Sequence, residues 1–275
     1  MNRIDGVFAV LRKKGKKALI PYVACGDPDI KFTEKLVSVL ADSGADMVEL
    51  GIPYSDPVAD GPTIQKASVR ALKGGVTLEN IFALADRLQK KVDIPLIIMT
   101  YYNPVYVMGA ENFVKKAAAA GVDGLIIPDL PLEEAYQLKT LADNNGINLI
   151  FLVAPTSTKE RIQKISHVAR GFIYCVSVAG VTGARQKVSN SLEGFLNRIR
   201  TQTSLPLVVG FGISSPDTAQ KAAQHADGVI VGSALIERIE KNINDSRHAL
   251  KTASDFIREL KKAIANCKLQ KSCRN

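Results

Sequence analysis

The stretch Ala45-Asp46-Met47-Val48-Glu49-Leu50-Gly51 sets the pattern of this chain. It resembles two later stretches, Val122-Asp123-Gly124-Leu125-Ile126-Ile127-Pro128 and Ala226-Asp227-Gly228-Val229-Ile230-Val231-Gly232. Each contains a short, mostly apolar run without period-two alternation, which is typical of a parallel strand covered on both faces. Its recurrence indicates a fold built by repeating one supersecondary unit.

Eight apolar runs of this kind occur, and segments with helical periodicity separate them. The predicted strands are Ala18–Ala24, Ala45–Leu50, Pro95–Tyr101, Gly124–Pro128, Asn148–Val153, Gly171–Ser177, Pro206–Phe211 and Gly228–Val231. Eight strands alternating with helices predict an α/β fold, the closed (β/α)8 TIM barrel, which takes about 250 residues. The gaps after the second and sixth strands are long, which predicts extended loops on the face where such barrels carry their active sites.

The two ends of the chain have patterns of their own. Ile4, Phe8 and Leu11 share a helical face and predict an extra N-terminal helix that closes the bottom of the barrel. An apolar stripe from Leu250 to Ile264 predicts a last helix docked on the barrel. We therefore expect a single catalytic barrel domain over residues 1–266 and a disordered tail over 267–275.

The formal charge of the 275-residue chain is +9 at pH 7, which raises the question of a nucleic-acid partner. Residues 1–17 carry a net charge of +5 and residues 241–275 carry +6, so the body between them is slightly acidic, at −2. These basic ends lack the interleaved aromatic stacking platform that nucleic-acid binders use. Apolar runs such as 149–154 are far shorter than the ~20 residues of a membrane span. We expect neither nucleic acid nor membrane as a partner.

Four cysteines occur without a C-x-x-C pair, so the sequence predicts neither a disulfide framework nor a zinc site. Free buried thiols fit a reducing cytoplasm, where we expect the protein to reside. Residues 1–17 are basic and lack the apolar run of a secretory signal. The three histidines lack metal-ligand spacing and no nucleotide-binding glycine motif is present, so we expect no metal and no nucleotide.

Three carboxylates of one stretch are candidates for acid–base chemistry. Glu49 lies near the end of an apolar strand, where a carboxylate is costly unless it is used or paired. Partial desolvation would raise its pKa toward working pH, whereas pairing on the barrel rim is the alternative. Asp56 and Asp60 fall in the long loop that follows, and either could form a turn, or Asp60 could cap a helix beginning near Pro62. Two carboxylates facing one cleft can be driven to different protonation states.

Glycine-rich turns close the last two strands and predict a phosphate site. Gly210-Phe211-Gly212-Ile213-Ser214 ends the seventh strand, and Gly232-Ser233-Ala234 ends the eighth and opens a helical turn. Loops at these two places are the usual phosphate site of the barrel, although tight turns alone would also explain them. The small residues of 177–185 predict a lid, and Tyr174 points either into the barrel mouth or into the core.

Together these motifs resemble the tryptophan synthase α-subunit family, in order and over roughly residues 3–242. The match is carried by Ala18–Tyr22, Gly26-Asp27-Pro28, the long run Glu49–Pro62, Ala179–Gly183, Gly210–Pro216 and Gly232–Ala234. The resemblance implies a carbon–carbon lyase of L-tryptophan biosynthesis. Its reaction is retro-aldol cleavage of indole-3-glycerol phosphate to indole and D-glyceraldehyde 3-phosphate. It further implies an α2β2 complex in which a β-subunit holds pyridoxal phosphate, receives the indole through a tunnel and activates the α site. This chain would carry no cofactor of its own.

The resemblance also implies a role for particular residues. It makes Glu49 the general acid/base, Asp60 the acceptor of the indole N–H, and Tyr174 an assisting phenol. The implied phosphate cradle is Gly183, Gly212, Gly232 and Ser233. The implied indole pocket is Tyr22, Met99, Tyr101, Ile126, Leu152, Thr182 and Phe211, with Tyr22 at a position where phenylalanine is common. The implied contacts with the β-subunit are Pro53, Asp56, Asn103 and Pro104.

Two rival functions remain open at this point. Another phosphate-binding barrel, such as an isomerase or the indole-forming synthase, would share the glycine cradle but lack the loop from Glu49 to Asp60. An inactive homologue that serves only as an allosteric partner of the β-subunit would have lost a carboxylate or a cradle glycine. The sequence retains both features.

Overall fold

The computed structural model describes residues 1–176, 185–210, 212–265 and 267, and at 185–191 it describes the backbone. Within these residues eight parallel strands close into a barrel in chain order. The strands are β1 (Ala18–Ala24), β2 (Val48–Gly51), β3 (Leu96–Met99), β4 (Gly124–Ile126), β5 (Asn148–Val153), β6 (Ile173–Val176), β7 (Leu207–Gly210) and β8 (Gly228–Val231). The predicted (β/α)8 barrel is therefore confirmed.

The aspartates of the repeated stretch explain why it recurs. Asp46, Asp123 and Asp227 stand immediately before or one residue short of an even-numbered strand. Each carboxylate accepts a backbone N–H of the preceding odd-numbered strand, from Leu19 at 2.7 Å, Leu96 at 3.0 Å and Leu207 at 2.9 Å respectively. A buried N–H that lacked such a partner would be costly. The repeat thus satisfies the backbone at the strand entrances, and β2 begins three residues later than predicted.

Twelve helices form within the described residues. They are α1 (Arg3–Lys13), α2 (Ile30–Asp42), α3 (Pro62–Lys73), α4 (Leu78–Gln89), α5 (Tyr102–Met108), α6 (Ala110–Ala119), α7 (Tyr136–Asn144), α8 (Lys159–Val168), α9 (Arg185–Arg200), α10 (Pro216–His225), α11 (Ser233–Glu240) and α12 (Ser246–Ala265). The surplus predicted after β2 consists of the loop 52–61 and the additional helix α3. After β6, residues 177–184 lie outside the described residues.

Both terminal helices occur where the sequence predicts them. Ile4, Phe8 and Leu11 of α1 are buried and join the cluster inside the barrel, with the Phe8 ring 5.8 Å from that of Phe172. Helix α12 packs against α2, α10 and α11. The tail predicted from 267 onward remains a prediction: Cys267 is buried, with its Sγ 3.5 Å from the Gln220 carbonyl, and 268–275 lie outside the described residues.

Strand alternation decides which side chains enter the barrel. Val48 and Leu50 belong to the cluster between the strands and the outer helices, whereas Tyr22 and Ile97 belong to the interior cluster. Glu49 lies in register with both Tyr22 and Ile97. Because successive side chains of a strand point to opposite faces, Glu49 points into the barrel. Among the described helices, none is long and apolar enough to cross a membrane.

Candidate active site

Glu49 is buried inside the barrel without a hydrogen-bond partner. Its exposed fraction is 1%, and neither carboxylate oxygen contacts a donor among the described residues. Burial, and secondarily the negative charge of Asp60, raises the pKa of Glu49 to about 8. The carboxyl is therefore neutral near pH 7 and can give up a proton. The described part of the structure provides no ion pair for Glu49, which argues against a rim salt bridge.

Asp60 is the second-last residue of the loop 52–61 and is half-buried. The Tyr101 hydroxyl lies beside the Asp60 carboxylate, to which it can donate, and accepts a hydrogen bond from the Ala59 N–H at 3.1 Å. Burial raises the pKa of Asp60, and the bond from Tyr101 opposes that rise. The N-cap of α3 is Gly61, which makes no side-chain cap bond, and Pro62 follows it. Asp60 is thus not the helix cap that its position before Pro62 suggested, and its carboxylate lines the cavity described below.

Tyr22 and Tyr174 reach the barrel mouth over two strand-ending glycines. A Cβ on Gly51 would lie 2.1 Å from the Tyr22 hydroxyl, and one on Gly210 would lie 2.2 Å from the Tyr174 hydroxyl. Any side chain at Gly51 or Gly210 would therefore displace a tyrosine. Burial raises the pKa of both phenols well above 10, so both remain protonated.

The phosphate candidates lie where β7 and β8 end. Gly212 has φ +77°, in the left-handed region that favours glycine. Gly232 is the N-cap of α11, and Ser233 is its first residue. The first N–H groups of a helix have no intrahelical acceptor and form the positive end of the helix dipole, which suits an anion.

One cavity of about 190 Å³ joins these groups. Most of its lining was predicted from the sequence: Tyr22, Glu49, Asp60, Met99, Tyr174, Gly212, Gly232 and Ser233. Ile64, Ile230 and Glu237 also line it and were missed. Alternation along β8 could have revealed Ile230, whereas Ile64 and Glu237 enter from helices whose packing the sequence does not show.

The remaining predicted pocket and cradle residues either do not line this cavity or lie outside the described residues. Ile126 and Leu152 pack inside the barrel and do not line the cavity. Tyr101 is also absent from the lining and instead supports the loop at Ala59 and Asp60. Thr182, Gly183 and Phe211 lie outside the described residues.

The support from Tyr101 can be tested by removing its hydroxyl. Tyr101→Phe retains the ring, which lies 5.1 Å from that of Tyr54, but takes an acceptor from Ala59 and a donor from Asp60. A hydrogen bond contributes about 0.5–1.5 kcal/mol net, so we expect kcat to fall about tenfold with little change in melting temperature. Steady-state kinetics measures this, and an unchanged kcat would contradict the supporting role.

The predicted partner residues flank this mouth. Asp56 and Asn103 are exposed and Pro104 is partly buried, whereas Pro53 is buried. Val58, Tyr106 and Val107 of the same two segments are apolar and at least 71% exposed. An exposed apolar group beside a polar rim is typical of a protein contact.

Comparison with known proteins shows the family to which the chain belongs. The family model described as tryptophan synthase alpha chain matches residues 8–265. The chain belongs to this family. The tryptophan synthase alpha chain of Geotalea daltonii is 49% identical over 265 residues, covering 96% of this chain and all of the relative. That of Thermoanaerobacter sp. is 48% identical over 264 residues, with 96% and 100% coverage.

Solved structures agree with this assignment. Tryptophan synthase subunit alpha from Legionella pneumophila superposes with a TM-score of 0.90 at 38% identity, over 97% of this chain and 99% of that one. A chain of tryptophan synthase from M. tuberculosis superposes with a TM-score of 0.87 at 35% identity, over 96% and 99%. The tryptophan synthase α family carries no cofactor, and pyridoxal phosphate belongs to the β-subunit.

Proposed function

We propose that Glu49 and Asp60 divide the acid–base work of the family's reaction, cleavage of indole-3-glycerol phosphate to indole and D-glyceraldehyde 3-phosphate. The observation that carries this proposal is the burial of Glu49, without a partner among the described residues, in the cavity that Asp60 also lines. Carbon–carbon cleavage of this substrate requires a neutral carboxyl that gives a proton and a neighbouring ionised carboxylate that stabilises positive charge.

In this mechanism Glu49 gives its proton to C3 of the indole ring. The ring nitrogen becomes positively charged, and the Asp60 carboxylate accepts its N–H and stabilises that charge. The ionised Glu49 then takes the proton of the glyceryl hydroxyl. The C–C bond breaks, its electron pair restores the aromatic ring, and the former alcohol leaves as an aldehyde. The proton given at the start is regained at the end, so Glu49 is ready for the next cycle.

The rest of the cavity fits the two ends of this substrate. Gly212, Gly232 and Ser233 would hold the phosphate through backbone N–H groups. Gly183 lies outside the described residues, and its part in the cradle is an expectation from the family resemblance alone. Tyr22, Met99 and Ile230 offer apolar surface to the flat ring, and Tyr174 adds a protonated phenol beside Glu49.

Asp60→Asn tests the charge stabilisation. Asparagine can still accept the indole N–H but carries no negative charge, so we expect kcat to fall about 10²–10³-fold. Asp93→Asn is the matched control, because Asp93 is fully exposed and precedes β3 at the opposite end of the barrel. Indole release is followed with both variants. Equal rates in the two would exclude a role for the Asp60 charge.

The partner implied by the family is the β-subunit. We propose an α2β2 complex that forms over the segments holding Asp56, Asn103 and Pro104 and passes indole to the partner. The exposed apolar residues Val58 and Tyr106 support contact there, whereas burial of Pro53 makes its part indirect. The unpaired buried thiols of Cys25 and Cys175 support a location in the cytoplasm.

Assaying indole release from indole-3-glycerol phosphate, with and without a β-subunit, tests the whole proposal. We expect release by the chain alone and faster release with the partner. No indole under either condition would favour the inactive-homologue reading, and conversion of the substrate without indole would favour another barrel enzyme.

A further inference from the structure

We propose that Arg70 is a positioning residue that couples the phosphate end of the cavity to Asp60. The inference rests on the roles proposed above for these two ends. Arg70 touches neither of them. It acts through the helices that carry them, α3 and α11.

Arg70 joins three elements by charged hydrogen bonds. Its Nε and Nη2 each donate to one carboxylate oxygen of Asp27 at 2.8 Å, and its Nη1 donates to Glu240 Oε1 at 2.6 Å. Asp27 lies in the turn after β1, and its side chain is 4% exposed. A two-pronged guanidinium–carboxylate pair fixes orientation as well as distance, which a lysine cannot reproduce. The position of α3 against the β1 turn is therefore closely defined at Arg70.

Helix α3 in turn holds Asp60. It begins two residues after Asp60, and the Gln65 side chain donates to the Asp60 carbonyl at 2.8 Å. The Gln65 backbone N–H also bonds the Gly61 carbonyl at 3.0 Å. A shift of α3 would therefore carry Asp60 with it.

Helix α11 carries the other end of the cavity. Its N-terminus supplies Gly232 and Ser233, and its last residue is Glu240, the second partner of Arg70. A second bond joins the two helices, from Thr63 Oγ1 of α3 to Glu237 Oε1 at 3.2 Å. With one bond near the start of α3 and one in its third turn, the two helices are constrained to shift together. Phosphate binding at the start of α11 then restricts Asp60, and binding of indole at Asp60 restricts α11.

The test measures this coupling directly in the isolated full chain. Indole affinity is measured by calorimetry without and with saturating glycerol 3-phosphate. Coupling between sites typically changes affinity about 5–150-fold, so we expect glycerol 3-phosphate to raise the indole affinity of the unmodified chain at least about fivefold.

Two variants remove the link in different ways. Glu240→Ala removes the carboxylate that Arg70 meets on α11 and leaves Asp27 paired. Asp27→Asn/Arg70→Met removes both charged pairs of Arg70, and the carboxylate that remains, that of Glu240, is partly exposed. We expect the effect of glycerol 3-phosphate on indole affinity to fall well below fivefold in both, because among the described residues only the hydrogen bond from Thr63 to Glu237 then joins α3 to α11. Arg87→Met is the matched control, because Arg87 pairs with Glu34 between α4 and α2 and reaches neither end of the cavity.

Each outcome decides the inference. Coupling that is lost in the two variants and kept in Arg87→Met supports it, whatever the changes in melting temperature. Coupling that is absent from the unmodified chain, kept in both variants, or lost equally in the control overturns it while leaving the proposed function intact. Failure of the unmodified chain to bind either ligand or to release indole overturns the proposed function, and the inference falls with it.

Discussion

Replacing Glu49 by glutamine is expected to lower the rate of indole release by about 10²–10⁴-fold, the range of a general acid–base contribution. Glutamine has nearly the same shape but no proton to give to C3 of the ring. The loss should appear in kcat, because the groups that bind the phosphate and the ring are untouched. Single-turnover measurement of indole release is the direct assay.

Glu133→Gln provides the control for this experiment. Glu133 is an exposed carboxylate in the segment between β4 and α7, paired with Arg161 and outside the cavity. We expect its turnover to equal that of the unmodified chain. Near-normal turnover by Glu49→Gln would remove Glu49 from the mechanism, and the cavity would need another proton donor.

The second large effect concerns the free energy of unfolding. The pKa of Glu49 is about 8 in the folded chain against 4.5 as its ordinary value, because burial disfavours the charged form. Between these two values the folded state holds a proton that the unfolded state has lost. The contribution of Glu49 to the free energy of unfolding of the protein therefore falls as the pH rises from about 4.5 to about 8. Each unit of pKa difference corresponds to about 1.4 kcal/mol.

Glu49→Gln removes this dependence and keeps the side chain neutral at every pH. The free energy of unfolding of the variant minus that of the unmodified chain should rise steadily between pH 5 and pH 8, by several kcal/mol in total. Urea unfolding at pH 5, 6.5 and 8 measures the difference, in which the titration of other groups cancels. Parallel pH profiles for the two proteins would show that Glu49 is not held neutral. An inactive but more stable variant is the expected signature of a destabilising catalytic group.

The sequence was informative wherever a pattern is local. Apolar runs predicted all eight strands, and β1, β5 and β8 begin and end where expected. Glu49 stood out because a carboxylate in an apolar strand needs a reason. The strand-ending glycines Gly51 and Gly210 were visible as residues, but their purpose appeared only with Tyr22 and Tyr174 lying over them.

Tertiary structure decided what depends on distant segments. The resemblance places Tyr101 in the indole pocket, and in the structure its hydroxyl supports the loop at Ala59 and Asp60, which lie 42 and 41 positions earlier in the chain. No sequence motif marks Arg70, which bonds Asp27 and also Glu240, 170 positions later in the chain. No periodicity reports such contacts, because they arise from how the barrel brings its outer helices together.

By itself, the sequence determined the barrel and the family resemblance, and that resemblance singled out Glu49 and Asp60 as the candidate carboxylates. These depend on hydrophobic periodicity and on motifs whose chemistry is contained within a few neighbouring residues. The structure alone decided that Glu49 is buried without a partner among the described residues, and that Asp60 is held by Tyr101 and α3. Protonation state and position depend on desolvation and on long-range contacts, and both exist only once the chain has closed around them.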